Sequence, residues 1–148
     1  METTTNTAPL VKEILLDATP ERVWSAITDP EEMKKWYFTM VDFKPEVGNS
    51  FSFTGCDDEE EFTHICKISD VVPGKTLRHS WTYKGYPGES FVTWELIPEG
   101  NKTLLRLTHE GLHTFPSAEK KSFARESFQA GWDAIIGELL PAYIQKTV

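Results

Sequence analysis

Two histidines carry the strongest chemical signal in this chain. His79 alternates with Leu77 and Trp81, and His109 alternates with Leu105 and Leu107, so both imidazoles point to the side those apolar residues bury. A buried imidazole either orients a polar ligand group and exchanges protons near neutral pH, or sits neutral in the core bonded to a neighbour. The spacing permits both. Arg125 falls on the same helical stripe as Trp132, and its planar fork suits a carboxylate or phosphate on a ligand; as a rim arginine it meets only water or a surface acid. Glu95 alternates opposite Trp94, which turns it outward or sets it at a pocket mouth.

Metal and nucleophile chemistry find less support. His64 and Cys66 share a strand face, and His109 and His113 are four apart, but no four-ligand spacing emerges, so no metal site is assigned. His109-Glu110 lacks the second histidine of a helical zinc-protease motif, and there is neither a Gly-x-Ser-x-Gly elbow nor a phosphate-binding glycine loop. Cys66, with only Lys67 as a basic neighbour, reads as a small buried hydrophobe. The acids Asp57 to Glu61 lack the alternate spacing of a calcium loop and read as a solvated hairpin tip. No catalytic residue and no cofactor are assigned.

The elements that must hold these groups follow from periodicity. Leu10 to Asp17 alternates as a strand, with Val11, Glu13 and Leu15 on one face and Ile14 and Leu16 on the other. Thr19-Pro20 and Asp29-Pro30-Glu31-Glu32 each start a short helix: a side chain that caps, a proline where its missing N–H costs nothing, and acids at the positive end of the dipole. Val23, Trp24 and Ile27 give the first helix its buried side, and the second carries Met33, Trp36 and Tyr37. From Phe51 to Glu110 the pattern has period two, punctuated by Pro73-Gly74, Gly85 to Gly88, and Pro98 with Gly100 and Asn101. Over the last thirty residues Phe128, Trp132, Ile135, Leu139 and Tyr143 recur three or four apart and, with Ile136, span about 100° of one helix face. Gly137 and Pro141 predict a bend there. A helix so built needs a sheet to lie against.

Composition bounds the rest. The 148 residues are one domain by length, 9–148, preceded by a disordered arm over 1–8. A net charge of −8 and a pI near 5.0 weigh against nucleic acid. No apolar run reaches the roughly 18 residues that span a bilayer, so no membrane insertion is expected. Met1 to Pro9 has neither the basic nor the apolar part of a secretion signal, and a cytoplasmic location is expected.

This order resembles the START-like (SRPBCC, helix-grip) superfamily, and within it the branch named for the activator of the heat-shock-protein-90 ATPase. The resemblance rests on Ala18 to Trp24 (ATPERVW), Val72 to Leu77 (VVPGKTL without its first valine), Val92 to Leu96 (VTWEL), Thr103 to Gly111 (TLLRLTHEG) and Gly131-Trp132. It implies an α+β helix-grip fold: two short helices after the first strand and a curved antiparallel sheet of about six to seven strands wrapped around a long C-terminal helix. It also implies a deep apolar cavity between sheet and helix, in a superfamily of lipid carriers, hormone receptors, polyketide cyclases and a co-chaperone domain.

Trp36, Phe51, Phe53, Trp81, Tyr83, Trp94, Phe128 and Trp132 either line a pocket of a few hundred cubic ångström or fill the core at normal density. The expected function is binding of a small hydrophobic molecule (lipid, aromatic or polyketide-like), with His79, His109 or Arg125 orienting its polar end. The alternatives are a co-chaperone-like regulator of a heat-shock chaperone's ATPase, and a cyclase or hydrolase-like enzyme using a pocket histidine.

Overall fold

The computed structural model describes residues 8–57, 60–116 and 123–146. The expected arm lies, apart from Ala8, outside the described residues, as do Asp58 and Glu59 of the acidic tip. Strand β1 (Leu10–Leu16) buries Leu10 and Leu16 and exposes Val11, Glu13 and Leu15. Helix α1 (Pro20–Thr28) starts where the Thr19 hydroxyl accepts the Arg22 N–H at 3.4 Å. Asp29 ends that helix through its N–H to the Ser25 carbonyl and opens α2 (Pro30–Trp36) by accepting the Glu31 N–H at 2.9 Å. The buried side of α1 is Val23, Ala26 and Ile27; Trp24, expected there, is only half-buried, because spacing of three and four from Val23 selects Ala26 and Ile27.

Strands β2 (Ser50–Asp57), β3 (Glu60–Val72), β4 (Thr76–Tyr83), β5 (Ser90–Glu99) and β6 (Lys102–Glu110) complete one antiparallel sheet in the order β1-β6-β5-β4-β3-β2. Its six strands are at the lower end of the expected number. Every second residue faces inward: Leu77, His79, Trp81 and Tyr83 on β4, for example, and Thr103, Leu105, Leu107 and His109 on β6. A register shift between Ile68 and Asp70 bends β3 and helps curl the sheet. After β6, a 3₁₀ turn (Leu112–Thr114) begins at Gly111, whose φ of 84° and closeness to Glu89 O (2.8 Å from a built Cβ) admit only glycine.

The C-terminal helix is three consecutive pieces: α3 (Arg125–Ala134), a π segment (Ile135–Leu139) and α4 (Leu140–Lys146). This corrects the expected stripe. Phe128, Trp132, Ile136, Leu140 and Ile144 are buried, while Leu139 is 49% exposed and Ile135 and Tyr143 are half-buried. In a straight α-helix, residues four apart drift by about 40° per step, so such a stripe would turn away from the sheet. The wider π turn, where Leu140 N–H donates to the Ile135 carbonyl, absorbs that drift. Pro141 sits just beyond and has no N–H to offer Gly137, the carbonyl four residues back.

α4 is clasped to the first two helices through Glu32. Its carboxylate accepts from Tyr143 Oη and Arg22 Nη1, both at 2.7 Å, and from the Ser25 hydroxyl. Burial alone would raise the Glu32 carboxyl, but the bonds from Ser25, Tyr143 and Arg22 outweigh it and hold its pKa below the usual value.

Candidate functional site

Helix and sheet do not close along their whole length. On one side of α3 stand Ser127, Ala130 and Gly131, three and four apart, and a Cβ built on Gly131 would meet nothing within 4 Å. These small side chains leave a cleft of about 450 Å³ between α3 and the β3–β4 part of the sheet. Phe128, Trp132 and Ile135 line it from the helix; Phe62 and His64 of β3 and Trp81 and Tyr83 of β4 line it from the sheet. Phe38, Phe123 and Gly55 complete it. A Cβ on Gly55 would stand 3.2 Å from Phe38 Cε1 and 3.3 Å from His64 Cε1, so glycine there lets both rings approach. Most of the lining residues carry rings, and among the described residues none of the lining is a carboxylate, lysine or arginine.

The residues expected at a site do not gather in one place. Trp81, Tyr83, Phe128 and Trp132 line the cleft. Phe51, Phe53, His79 and Trp94 surround a separate inner void of about 10 Å³, room for one water at most. Trp36 is packed beneath α1, its indole N–H donating to the Ala26 carbonyl at 2.9 Å, and His109 is fully buried; neither lines either opening. Arg125 points elsewhere, donating to the carbonyls of Ala8 at 2.7 Å and Pro9 at 3.2 Å ahead of β1. Sequence reasoning passed over Phe38, Gly55, Phe62, His64, Phe123 and the small-residue side of α3. The spacing of Ser127, Ala130 and Gly131 was the available signal, as was His64 alternating with Phe62.

Hydrogen-bond partners settle how each buried histidine is protonated. Ser90 Oγ donates to the Trp81 carbonyl at 2.9 Å, so the hydrogen in its 2.8 Å contact with His109 Nε2 comes from the imidazole. His109 Nδ1 then accepts the Trp132 indole N–H at 3.0 Å. His79 Nδ1 donates to the Ser80 carbonyl at 2.9 Å and its Nε2 accepts from the Trp94 indole at 3.2 Å. Both nitrogens of each ring are thus used by the fold. His64 differs: Nδ1 donates to the Phe53 carbonyl at 3.3 Å, the Phe62 backbone also favours the N–H of this ring, and no hydrogen bond among the described residues engages Nε2. Burial keeps all three neutral, pushing His64 and His79 down to about 4 and, with the other two imidazoles nearby, His109 to about 3. Among the described residues no group of three or more His, Cys, Asp or Glu is arranged to hold a metal ion.

The family described as activator of Hsp90 ATPase homolog 1-like protein matches residues 17–145. The chain belongs to that family. Its fold is accordingly the helix-grip fold of the START-like superfamily, some of whose members bind small hydrophobic ligands or Hsp90. Among solved structures, it is similar to CalU16 from Micromonospora echinospora, at 26% identity and a TM-score of 0.70 over 92% of this chain and 75% of that one. MLL2253 from Mesorhizobium loti aligns at 27% identity and a TM-score of 0.70 over 95% and 99%. DynU16, a protein of the dynemicin biosynthetic locus, shares the fold at 22% identity and a TM-score of 0.73, over 93% of this chain; the match spans 47% of its own. No curated protein gives a significant match. For this member of the Hsp90-activator-like family, no helix among the described residues is long and apolar enough to cross a membrane.

Proposed function

We propose that the chain binds a small hydrophobic molecule in the cleft between α3 and strands β3 and β4. The observation that carries this reading is an aromatic-lined opening of about 450 Å³, within the range of small-molecule sites, kept open by Ser127, Ala130 and Gly131. Apolar burial drives entry, and His64, with the Tyr83 hydroxyl, gives the polar end of a ligand something to meet. Titration with fatty acids, aromatics and polyketides, followed by indole N–H shifts, tests it. Trp81 and Trp132 line the cleft and should move, while Trp36, packed beneath α1, should not. If no class shifts Trp81 or Trp132, the reading fails.

A second reading, regulation of a heat-shock chaperone's ATPase, is favoured by the family match over residues 17–145. It predicts a higher ATPase rate of the chaperone at saturating protein, and an unchanged rate sinks it. A pocket-histidine enzyme would have to use His64, since His79 and His109 have both nitrogens engaged. His64→Ala should then abolish turnover, and retained turnover rejects that mechanism.

A further inference from the structure

We propose that the ligand is an uncharged planar aromatic bearing a hydroxyl, whose O–H donates to His64 Nε2 and whose oxygen accepts from the Tyr83 O–H. This rests on the cleft being a ligand site, and it names the chemistry the cleft selects.

The cleft holds one acceptor and one donor without a hydrogen-bond partner among the described residues. A carbonyl oxygen only accepts, so the neutral His64 ring carries its hydrogen on Nδ1, toward Phe53, and Nε2 keeps a free lone pair. His64 is 7% exposed, and it lines the cleft. Among the described residues the only fully buried side-chain polar atom lacking a partner is Tyr37 Oη, which places the unbonded His64 Nε2 at an accessible surface. Tyr83 Oη already accepts the Trp81 indole N–H at 2.9 Å, and its own hydrogen finds no acceptor among the described residues. The His64 and Tyr83 rings are neighbours, 4.7 Å apart at their centroids, and both line the cleft.

A hydroxyl is the smallest group that both donates and accepts, and it satisfies the two at once. A carboxylate would do so poorly: it only accepts, it faces the lone pair of His64, and among the described residues none of the lining brings a positive charge. Arg125, the cation nearest in sequence to the α3 lining, is committed to the Ala8 and Pro9 carbonyls. Phe62, Trp81, Phe128 and Trp132 present rings on both walls, which favours a flat aromatic body over a flexible chain.

The test compares naphthol, its methyl ether and naphthoate, each titrated into the full chain by calorimetry with the Trp81 and Trp132 indole shifts recorded. Naphthol should bind about tenfold tighter than the ether, which accepts but cannot donate, and naphthoate should bind more weakly than naphthol. His64→Phe should erase the preference for naphthol over the ether. Should that variant fail to fold, the imidazole nitrogen shifts of the native protein decide: His64 Nε2 must move with naphthol and stay with the ether. Equal affinity for naphthol and ether, or an unmoved Nε2, overturns the proposal but leaves the cleft a ligand site. Absence of binding by all three, with neither tryptophan shifted, overturns it together with the ligand-site reading.

Discussion

Trp132 on α3 donates its indole N–H to His109 Nδ1 on β6 at 3.0 Å, and both side chains are buried. This bond ties helix to sheet beside the cleft. Trp132→Phe keeps an aromatic ring but leaves the His109 lone pair without its donor and a space where the second indole ring was. The expected loss is about 2–4 kcal/mol, from the unpaired acceptor plus the cavity. Urea unfolding reads it as a lower midpoint at unchanged slope. A loss under about 0.5 kcal/mol, the scale of an ordinary surface substitution, would mean the bond contributes nothing.

The three buried imidazoles make stability fall with acid. Their folded pKa values, about 4, 4 and 3, lie below the ordinary 6.5 of histidine, so between roughly pH 6.5 and pH 4 the unfolded chain binds protons that the folded chain refuses. Unfolding then takes up protons, and stability declines as pH drops through that window, by up to about 4 kcal/mol per pH unit if all three contribute fully. Above pH 6.5 these groups add no slope. Urea midpoints measured from pH 8 to pH 4.5 check this, and a flat profile between pH 6.5 and pH 5 would contradict it.

Much of this arrangement is legible in the sequence because it follows from local rules. Thr19 and Asp29 cap helices wherever prolines follow them, and period-two alternation sends His79 and His109 inward whatever their partners. Spacing puts both Ile135 and Ile136 on the buried face, and only the π turn decides that Ile136 faces the core and that Leu140 and Ile144 follow it in place of Leu139 and Tyr143. The cleft is hidden for a different reason: a void is set by which side chains are too small to meet across it. Ser127, Ala130 and Gly131 oppose strands far away in sequence, and Phe38 and Phe123 belong to no periodic element. Arg125 shares a stripe with Trp132, yet stripe position does not say that carbonyls of the chain before β1 will capture it.

The clasp on Glu32 should govern how firmly α4 is held. Glu32→Gln keeps the shape but removes the charge from the bonds to Arg22 and Tyr143, and charged hydrogen bonds are about twice as strong as neutral ones. Amide exchange over Leu140–Lys146 should rise severalfold while exchange in β5 and β6 stays constant. Since the carboxyl titrates below its usual value, the native protein should show the same loosening once pH falls below about 4.5 and the clasp protonates. Uniform exchange in native protein and variant would show that the charge on Glu32 does not hold α4.

Gly131 separates the cleft from the stability of the helix that lines it. It lies inside α3, where glycine costs about 1 kcal/mol relative to alanine, and a side chain there points into open space. Gly131→Ala should therefore raise stability by about 0.5–1 kcal/mol. Gly131→Leu should fold equally well while its side chain occupies the cleft, weakening any ligand held there by tenfold or more. Gly137 supplies the control: a Cβ there would meet only Lys12, at 3.7 Å, away from the cleft lining, so Gly137→Ala should leave affinity unchanged. Calorimetric titration of the three variants with one bound aromatic distinguishes the outcomes. Full affinity in Gly131→Leu would mean that the ligand lies elsewhere.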